Sequence, residues 1–276
     1  MRITFIGAGN MASALIGGLL ANGHQASAIR AIDPSEEQRR RIAAQFGVAC
    51  HSDFADSGDG DVVVLAVKPQ AIAQVVRPLA GRVDDRLVIS VAAGIRATDL
   101  SRWLGGHRRI VRCMPNTPAL IGMGVTGLAA LPGLSDADRQ SARAILEAVG
   151  SVVWVDEESL LDAVTSVSGS GPAYVFYFME QLELAGRAVG LSPEQSRALT
   201  LATFRGAAEL AIRSDEPLSV LRERVTSKGG TTAAALAVLG EGPIAEAIGR
   251  GVTAACRRSK ELGDEFGSDP ASDSGA

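Results

Sequence analysis

Residues 3–20 read as a short apolar run, a glycine turn and then, at once, an apolar helical pattern. The turn Gly7-Ala8-Gly9-Asn10-Met11-Ala12 has the spacing G-x-G-x-x-A, with Ala12 in the third glycine's place. Strand, tight turn and helix in immediate succession commit this end of the chain to a β-α unit whose backbone N–H groups lie open at a helix N-terminus. Such a turn accepts a pyrophosphate, so Ile6 through Ala12 are candidate cofactor-binding residues. The motif implies a dinucleotide and leaves the reaction open.

The same stretch has a competing reading. No Asp, Glu, Lys or Arg occurs between Arg2 and Arg30, which a signal peptide or membrane span would also show. Five glycines, with Asn10, Asn22, His24 and Gln25, break up that run. A second uncharged run, residues 163–179, is interrupted by hydroxyl residues, two glycines and Pro172. The expectation is a soluble, cytoplasmic protein without a membrane partner. A formal charge of −4 over 276 residues, with Lys and Arg spread out, disfavours a nucleic-acid surface. Cys50, Cys113 and Cys256 show no C-x-x-C spacing, and His24, His51 and His107 no metal-ligand pattern, so neither a disulfide framework nor a metal site is expected.

Beyond the opening unit the first half alternates. Residues 28–32, 61–67, 87–92 and 110–114 read as strands, and residues 34–46 and 70–79 as helices. Residues 125–131, a helix over 137–149 with Ser135 as its cap, and residues 152–155 complete the pattern, with Gly150 suited to the helix C-terminus. This predicts an α/β fold, a parallel, doubly wound Rossmann-like sheet over residues 1–156. From Asp156 the strand pattern stops. Residues 158–168, 173–189, 193–213, 218–225, 232–239 and 244–262 read as helices, making 157–262 an all-helical domain for oligomerisation and substrate. Helices this apolar bury a face against a partner, which predicts an oligomer. Residues 263–276 are polar without a core pattern and are expected to be a disordered tail.

Ligands of open parallel sheets sit at the strands' carboxyl ends, which adds Ala66-Val67-Lys68-Pro69 and Met114-Pro115-Asn116-Thr117-Pro118 to the candidates. Lys68 could meet a phosphate or a substrate carboxylate, or be an ordinary loop lysine. Asn116 could bond a nicotinamide or ribose, or make an Asx-turn. Asp33 stands where an acid accepts from the ribose hydroxyl of NADH and repels the phosphate of NADPH; equally, Asp33-Pro34 is a natural helix start. Arg39 and Arg40 lie a turn later and could favour the phosphate or simply be solvated. Cofactor choice between NADPH and NADH stays open. Further on, Val225-Thr226-Ser227-Lys228-Gly229-Gly230-Thr231-Thr232 is a glycine loop opening a helix, able to hold a carboxylate or to serve as a turn capped by Thr231 or Thr232.

These motifs together resemble the pyrroline-5-carboxylate reductase family. The likeness runs from Phe5-Ile6-Gly7-Ala8-Gly9-Asn10-Met11 through Ala66-Val67-Lys68-Pro69 and Met114-Pro115-Asn116-Thr117-Pro118. It continues over Asp162-Ala163-Val164-Thr165 and Ser168-Gly169-Ser170-Gly171-Pro172-Ala173-Tyr174 to Thr226-Ser227-Lys228-Gly229-Gly230-Thr231-Thr232. The resemblance implies an NAD(P)H-dependent reductase that forms homodimers through its helical domain, often joined into a ring. It implies that Ser227, Gly229, Gly230, Thr231 and Thr232 hold the substrate carboxylate and that Thr232 contacts the ring nitrogen. Lys228 stands where many members carry proline, which speaks against an essential role. The alternatives are a hydroxyacid reductase of similar fold and a non-catalytic NAD(P)-binding protein. The former wants a lysine in the second half, and none lies between Val155 and Thr226.

Overall fold

The computed structural model describes residues 1–54 and 60–268. The chain divides into two compact units, Met1–Ser170 joined by the segment from Ala254 onward, and Gly171–Thr253.

The first unit is built on one sheet of eight strands. In chain order it runs β1 (Ile3–Ile6), α1 (Asn10–Ala21), β2 (Ile29–Ile32), α2 (Glu36–Phe46), β3 (Ala49–His51) and β4 (Val62–Leu65). Then follow α3 (Pro69–Val76), β5 (Leu87–Ser90), α4 (Ala97–Trp103), β6 (Ile110–Met114), β7 (Gly124–Ala130), α5 (Asp136–Glu147) and β8 (Gly150–Trp154). The strand order is β3-β2-β1-β4-β5-β6-β7-β8, which places β1 and β4 side by side where the winding reverses. The interior strand β4 is apolar throughout because both of its faces are covered. Along β4, Val62 and Val64 join the core on one face while Val63 and Leu65 join the core on the other. Each such fully buried side chain contributes roughly 1.5–3 kcal/mol.

The expected all-parallel sheet needs one correction, since β7 runs antiparallel to β6. The link between them, residues 115–123, is shorter than the crossover of about a dozen residues that parallel neighbours require. Gly150 likewise serves as the first residue of β8 rather than as a helix end. Its φ is +145°, and a Cβ there would lie 1.9 Å from the Gly124 carbonyl oxygen.

By its contacts the first unit runs past residue 156 to Ser170. Helix α6 (Leu160–Val164) and the π-helical turn Thr165–Gly169 belong to the first unit. Leu161 is fully buried, and Val164 Cγ1 would lie 2.6 Å from a Cβ on Gly127 of β7. Ahead of α6, the Glu158 carboxylate pairs with the buried Arg112 guanidinium at 3.1 Å and accepts the Ala97 N–H at 2.7 Å.

The second unit holds α7 (Gly171–Ala188), α8 (Pro193–Ile212), α9 (Leu218–Arg224) and α10 (Thr231–Glu241), and α11 (Ile244–Gly267) begins there. Ser192 and Gln195 form the expected capping box at the start of α8. Helix α11 runs on to Gly267, so residues 263–267 are helical and not part of a tail. Phe266 packs against the first unit's core, and Arg102 donates to the Gly267 carbonyl at 2.7 Å. The rest of the expected tail, residues 269–276, lies outside the described residues.

Candidate active site

The chain turns from β1 into α1 over Gly7-Ala8-Gly9. Gly7 has φ +99°, and a Cβ there would sit 2.5 Å from the Ala66 carbonyl oxygen, so no other residue fits. Gly9 is the N-cap of α1, has open space where a Cβ would be, and is followed by a first turn without acidic residues. Gly9 and Asn10 are exposed, Met11 is half-buried, and Ala8 and Ala12 are buried. Free N–H groups and the positive end of a helix dipole thus meet solvent at one place, a good fit for the pyrophosphate of a dinucleotide.

Asp33 follows β2, but it is not the cap of α2. That role belongs to Ser35, whose hydroxyl accepts the Gln38 N–H. The Asp33 carboxylate accepts the N–H of Ala8 at 2.8 Å and that of Ser35 at 2.9 Å. Arg39 donates to the carbonyls of Asp33 and Pro34, and Arg41 donates to the Ala8 carbonyl at 2.8 Å. The part played by Arg41 was not legible in the run Arg39-Arg40-Arg41, because helical spacing alone does not tell which arginine reaches the turn.

At the end of β4, Ala66 donates its N–H to the Ile6 carbonyl at 2.7 Å, bringing the Ala66-Val67-Lys68-Pro69 segment beside the glycine turn. Lys68 is exposed and caps α3, with Pro69 as the first helical residue. Asn116 follows β6 and is 9% exposed. Its side chain is committed within the protein: Oδ1 accepts the Val125 N–H at 2.9 Å and Nδ2 donates to the Ser168 carbonyl at 3.1 Å. This is a strap between β7 and the π-helical turn, and it is not an Asx-turn.

The π-helical turn went unforeseen, although Gly169-Ser170-Gly171-Pro172 marks an interruption. Thr165, Ser166 and Ser168 each donate a hydroxyl to a carbonyl of the preceding turn. Gly169 admits Met114, whose Cε would lie 2.8 Å from a Cβ there. Single π turns of this kind concentrate at functional sites.

In the second unit, Thr226 donates its hydroxyl to the Arg222 carbonyl at 2.6 Å, and the Gly230 N–H bonds the Ser227 carbonyl at 3.0 Å. Gly229 has φ +69°, and Gly230 is the N-cap of α10 without a side-chain cap. A Cβ on Gly230 would meet Ser227 Oγ at 2.4 Å. Neither Thr231 nor Thr232 is the cap; they are the first two helical residues, the former exposed and the latter half-buried. Ser227, Lys228 and Gly229 are exposed. The loop therefore offers an anion the open end of an eleven-residue helix beside a serine hydroxyl.

The site candidates thus form two groups, one in each unit. Thiol chemistry at Cys113 and Cys50 is disfavoured, since burial pushes both thiols up and away from the reactive thiolate.

Residues 158–262 match the family model for pyrroline-5-carboxylate reductase dimerisation, and residues 2–94 match that for coenzyme F420-dependent NADP oxidoreductases. The pyrroline-5-carboxylate reductase of Pseudomonas aeruginosa is 47% identical over 268 residues, which is 96% of this chain and 98% of that protein. A solved pyrroline-5-carboxylate reductase from Coxiella burnetii superposes with a TM-score of 0.90 at 40% identity, covering 95% of this chain and 98% of its own. The Plasmodium falciparum pyrroline carboxylate reductase, solved with NADP bound, gives 0.85 at 30% identity over the same shares.

Proposed function

The chain belongs to the pyrroline-5-carboxylate reductase family, and we infer that it reduces 1-pyrroline-5-carboxylate to L-proline with NADPH or NADH, the last step of proline biosynthesis. The observation that carries this reading is one chain holding both a glycine turn open to a pyrophosphate and a glycine loop open to a carboxylate. A nicotinamide held there would supply the hydride, and the protein's work is orientation and charge placement.

In this reading Gly7, Ala8, Gly9, Asn10, Met11 and Ala12 take the pyrophosphate. Ile6, Ala66, Val67, Lys68, Pro69 and Asn116 surround the rest of the dinucleotide, and Asp33 takes part through the turn its carboxylate holds. Asn116 acts there by position, because its side chain is already bonded to the protein. Ser227, Gly229, Gly230, Thr231 and Thr232 take the substrate carboxylate at the positive end of α10. A cyclic imine is basic enough to be protonated in part near neutral pH, and its iminium is the better hydride acceptor. Thr232 hydrogen-bonds the ring nitrogen. Hydride adds to the carbon of the C=N bond, the π electron pair moves to nitrogen, and the neutral amine then takes a proton from water. Lys228 has no essential part in these steps.

The second unit is read as the homodimer interface. Phe176 and Tyr177 of α7 are 64% and 59% exposed, and an apolar cavity of about 730 Å³ lies between α7 and the α10–α11 region, lined by Tyr174, Tyr177, Phe178, Leu239, Ile244 and Ile248. Dimers joined into a ring would follow the family pattern. Among the described residues no helix is long and apolar enough to cross a membrane. We place the enzyme in the cytoplasm, without nucleic-acid or membrane partners.

The test is oxidation of NADPH and NADH by the purified protein with pyrroline-5-carboxylate, beside a set of hydroxyacids run in the reverse direction. Turnover with the imine alone is expected. Turnover with a hydroxyacid and none with the imine would overturn the assignment.

A further inference from the structure

An acidic residue at the end of the second strand of such a sheet ordinarily reaches outward to a ribose hydroxyl. The Asp33 carboxylate turns inward instead. Its Oδ2 accepts the Ala8 N–H at 2.8 Å and its Oδ1 accepts the Ser35 N–H at 2.9 Å. Arg41 Nη2 donates to the Ala8 carbonyl at 2.8 Å. The two peptide groups flanking Ala8 are thus each held by a charged side chain from the β2–α2 segment. Bonds of this kind, with one partner ionised, are about twice as strong as neutral ones. Together with the Gly7 N–H bonded to the Ile32 carbonyl at 2.8 Å, they fix the turn before any ligand arrives.

The charges around this turn point the same way. Arg39 donates to the carbonyls of Asp33 and Pro34 at 2.7 and 2.8 Å, so two guanidinium groups stand in the turn that holds one carboxylate. Over residues 33–41 the acids Asp33, Glu36 and Glu37 are matched by Arg39, Arg40 and Arg41, so the segment carries no net negative charge to repel a ribose phosphate.

We propose that Asp33 and Arg41 are positioning residues that preorganise the pyrophosphate turn, and that Asp33 does not select NADH over NADPH. The proposal rests on reading the first unit as a dinucleotide site. Preorganisation serves both cofactors alike, since the pyrophosphate is common to them, whereas a ribose contact would serve one and oppose the other.

Asp33→Asn keeps the side chain's shape but leaves one acceptor oxygen for two N–H donors. Amide hydrogen exchange at Ala8 is measured in the nucleotide-free protein, and Kd for NADPH and for NADH by fluorescence titration. With one N–H left unpartnered, Ala8 exchange should quicken and both Kd values rise by roughly tenfold, their ratio staying within about twofold. In steady-state assays the loss should fall on KM for both nucleotides more than on kcat. Arg41→Met, on an exposed side chain, should weaken both nucleotides by about two- to fivefold, and Arg41→Lys should recover part of that loss. A change of more than about fivefold in the NADPH-to-NADH ratio of Asp33→Asn, or unchanged Ala8 exchange, would overturn the proposal. Binding of neither nucleotide by the unsubstituted protein would overturn the dinucleotide reading as well, and Ala8 exchange separates that failure from the first.

Discussion

Single residues at the two candidate groups differ in how far their neighbours determine them. Gly7 leaves no choice, because its φ of +99° and the Ala66 carbonyl 2.5 Å from any Cβ exclude every side chain. Thr232 is different. It is half-buried at the second position of α10, and its place in the fold would suit many small residues. Its identity is accounted for by the hydroxyl, which in the proposed mechanism meets the ring nitrogen in the transition state. Thr232→Ala should lower kcat about 10- to 100-fold, a loss of roughly 1.4–2.7 kcal/mol of transition-state stabilisation. Steady-state kinetics with pyrroline-5-carboxylate check this, and unchanged turnover removes Thr232 from the catalytic role. Asn116 shows how tertiary contacts use a side chain that its own neighbours leave open. An amide at a strand end offers either a free hydrogen-bonding group or a local turn. The fold brings Val125 across the β6–β7 link and Ser168 from a distant part of the chain to use both ends of it.

At the scale of elements, the distal half of α11 is the most informative. The buried residues of this helix are Ser259, Gly263 and Gly267, a stripe of small residues four apart. Ser259 donates to Asp162 at 2.6 Å, Gly263 lies against Gly94, and Gly267 against Asp99. A sequence rule reads Gly263 as a helix stop, because glycine costs about 1 kcal/mol in a helix interior. Here the close approach outweighs that cost. A Cβ on Gly263 would lie 3.0 Å from the Gly94 carbonyl oxygen, tight for one methyl and closed to a branched side chain. Gly263→Leu should therefore destabilise the first unit by about 1–3 kcal/mol despite its better helix propensity. Urea unfolding would show this as a lower midpoint with an unchanged slope, and a raised midpoint would contradict the packing argument. The reversal at β7 has an equally local cause in the short link after β6, which a strand-and-helix pattern does not weigh.

At the scale of the whole molecule, two groups of the first unit, His107 and Asp138, couple protonation to folding. His107 is 8% exposed with no hydrogen-bond partner on Nε2, and burial holds its imidazole below the ordinary value. Asp138 is held below the usual carboxylate range by the Arg109 guanidinium, which bonds it at 2.8 and 3.1 Å. Both groups take up protons more readily unfolded than folded, so stability rises with pH through each window. The His107 contribution is complete above about pH 6.5 and is lost as pH falls below it; that of Asp138 is lost below about pH 4. His107→Gln should flatten the stability profile below about pH 6.5, and Arg109→Met should weaken the decline below about pH 4. Denaturant midpoints across that range decide both; profiles parallel to the unsubstituted protein would remove these groups from the acid limb.

Most of the strands and helices, though not β3 or α4, were legible in the chain alone, as were the glycine turn, the capping box at Ser192 and the glycine loop before α10. Each depends on short-range physics: side-chain periodicity, backbone freedom at glycine, and capping of orphan N–H groups within a few residues. The inward turn of Asp33, the reach of Arg41, the strap formed by Asn116, and the use of Gly263 and Gly267 as contact surface were decided by tertiary structure. In each case the partner is a backbone or carboxylate group brought close only by packing. Nothing in the residue itself says whether a charge faces a ligand or a neighbouring peptide. The local chain determined that a dinucleotide turn exists; the packed structure decided which side chains hold it in shape.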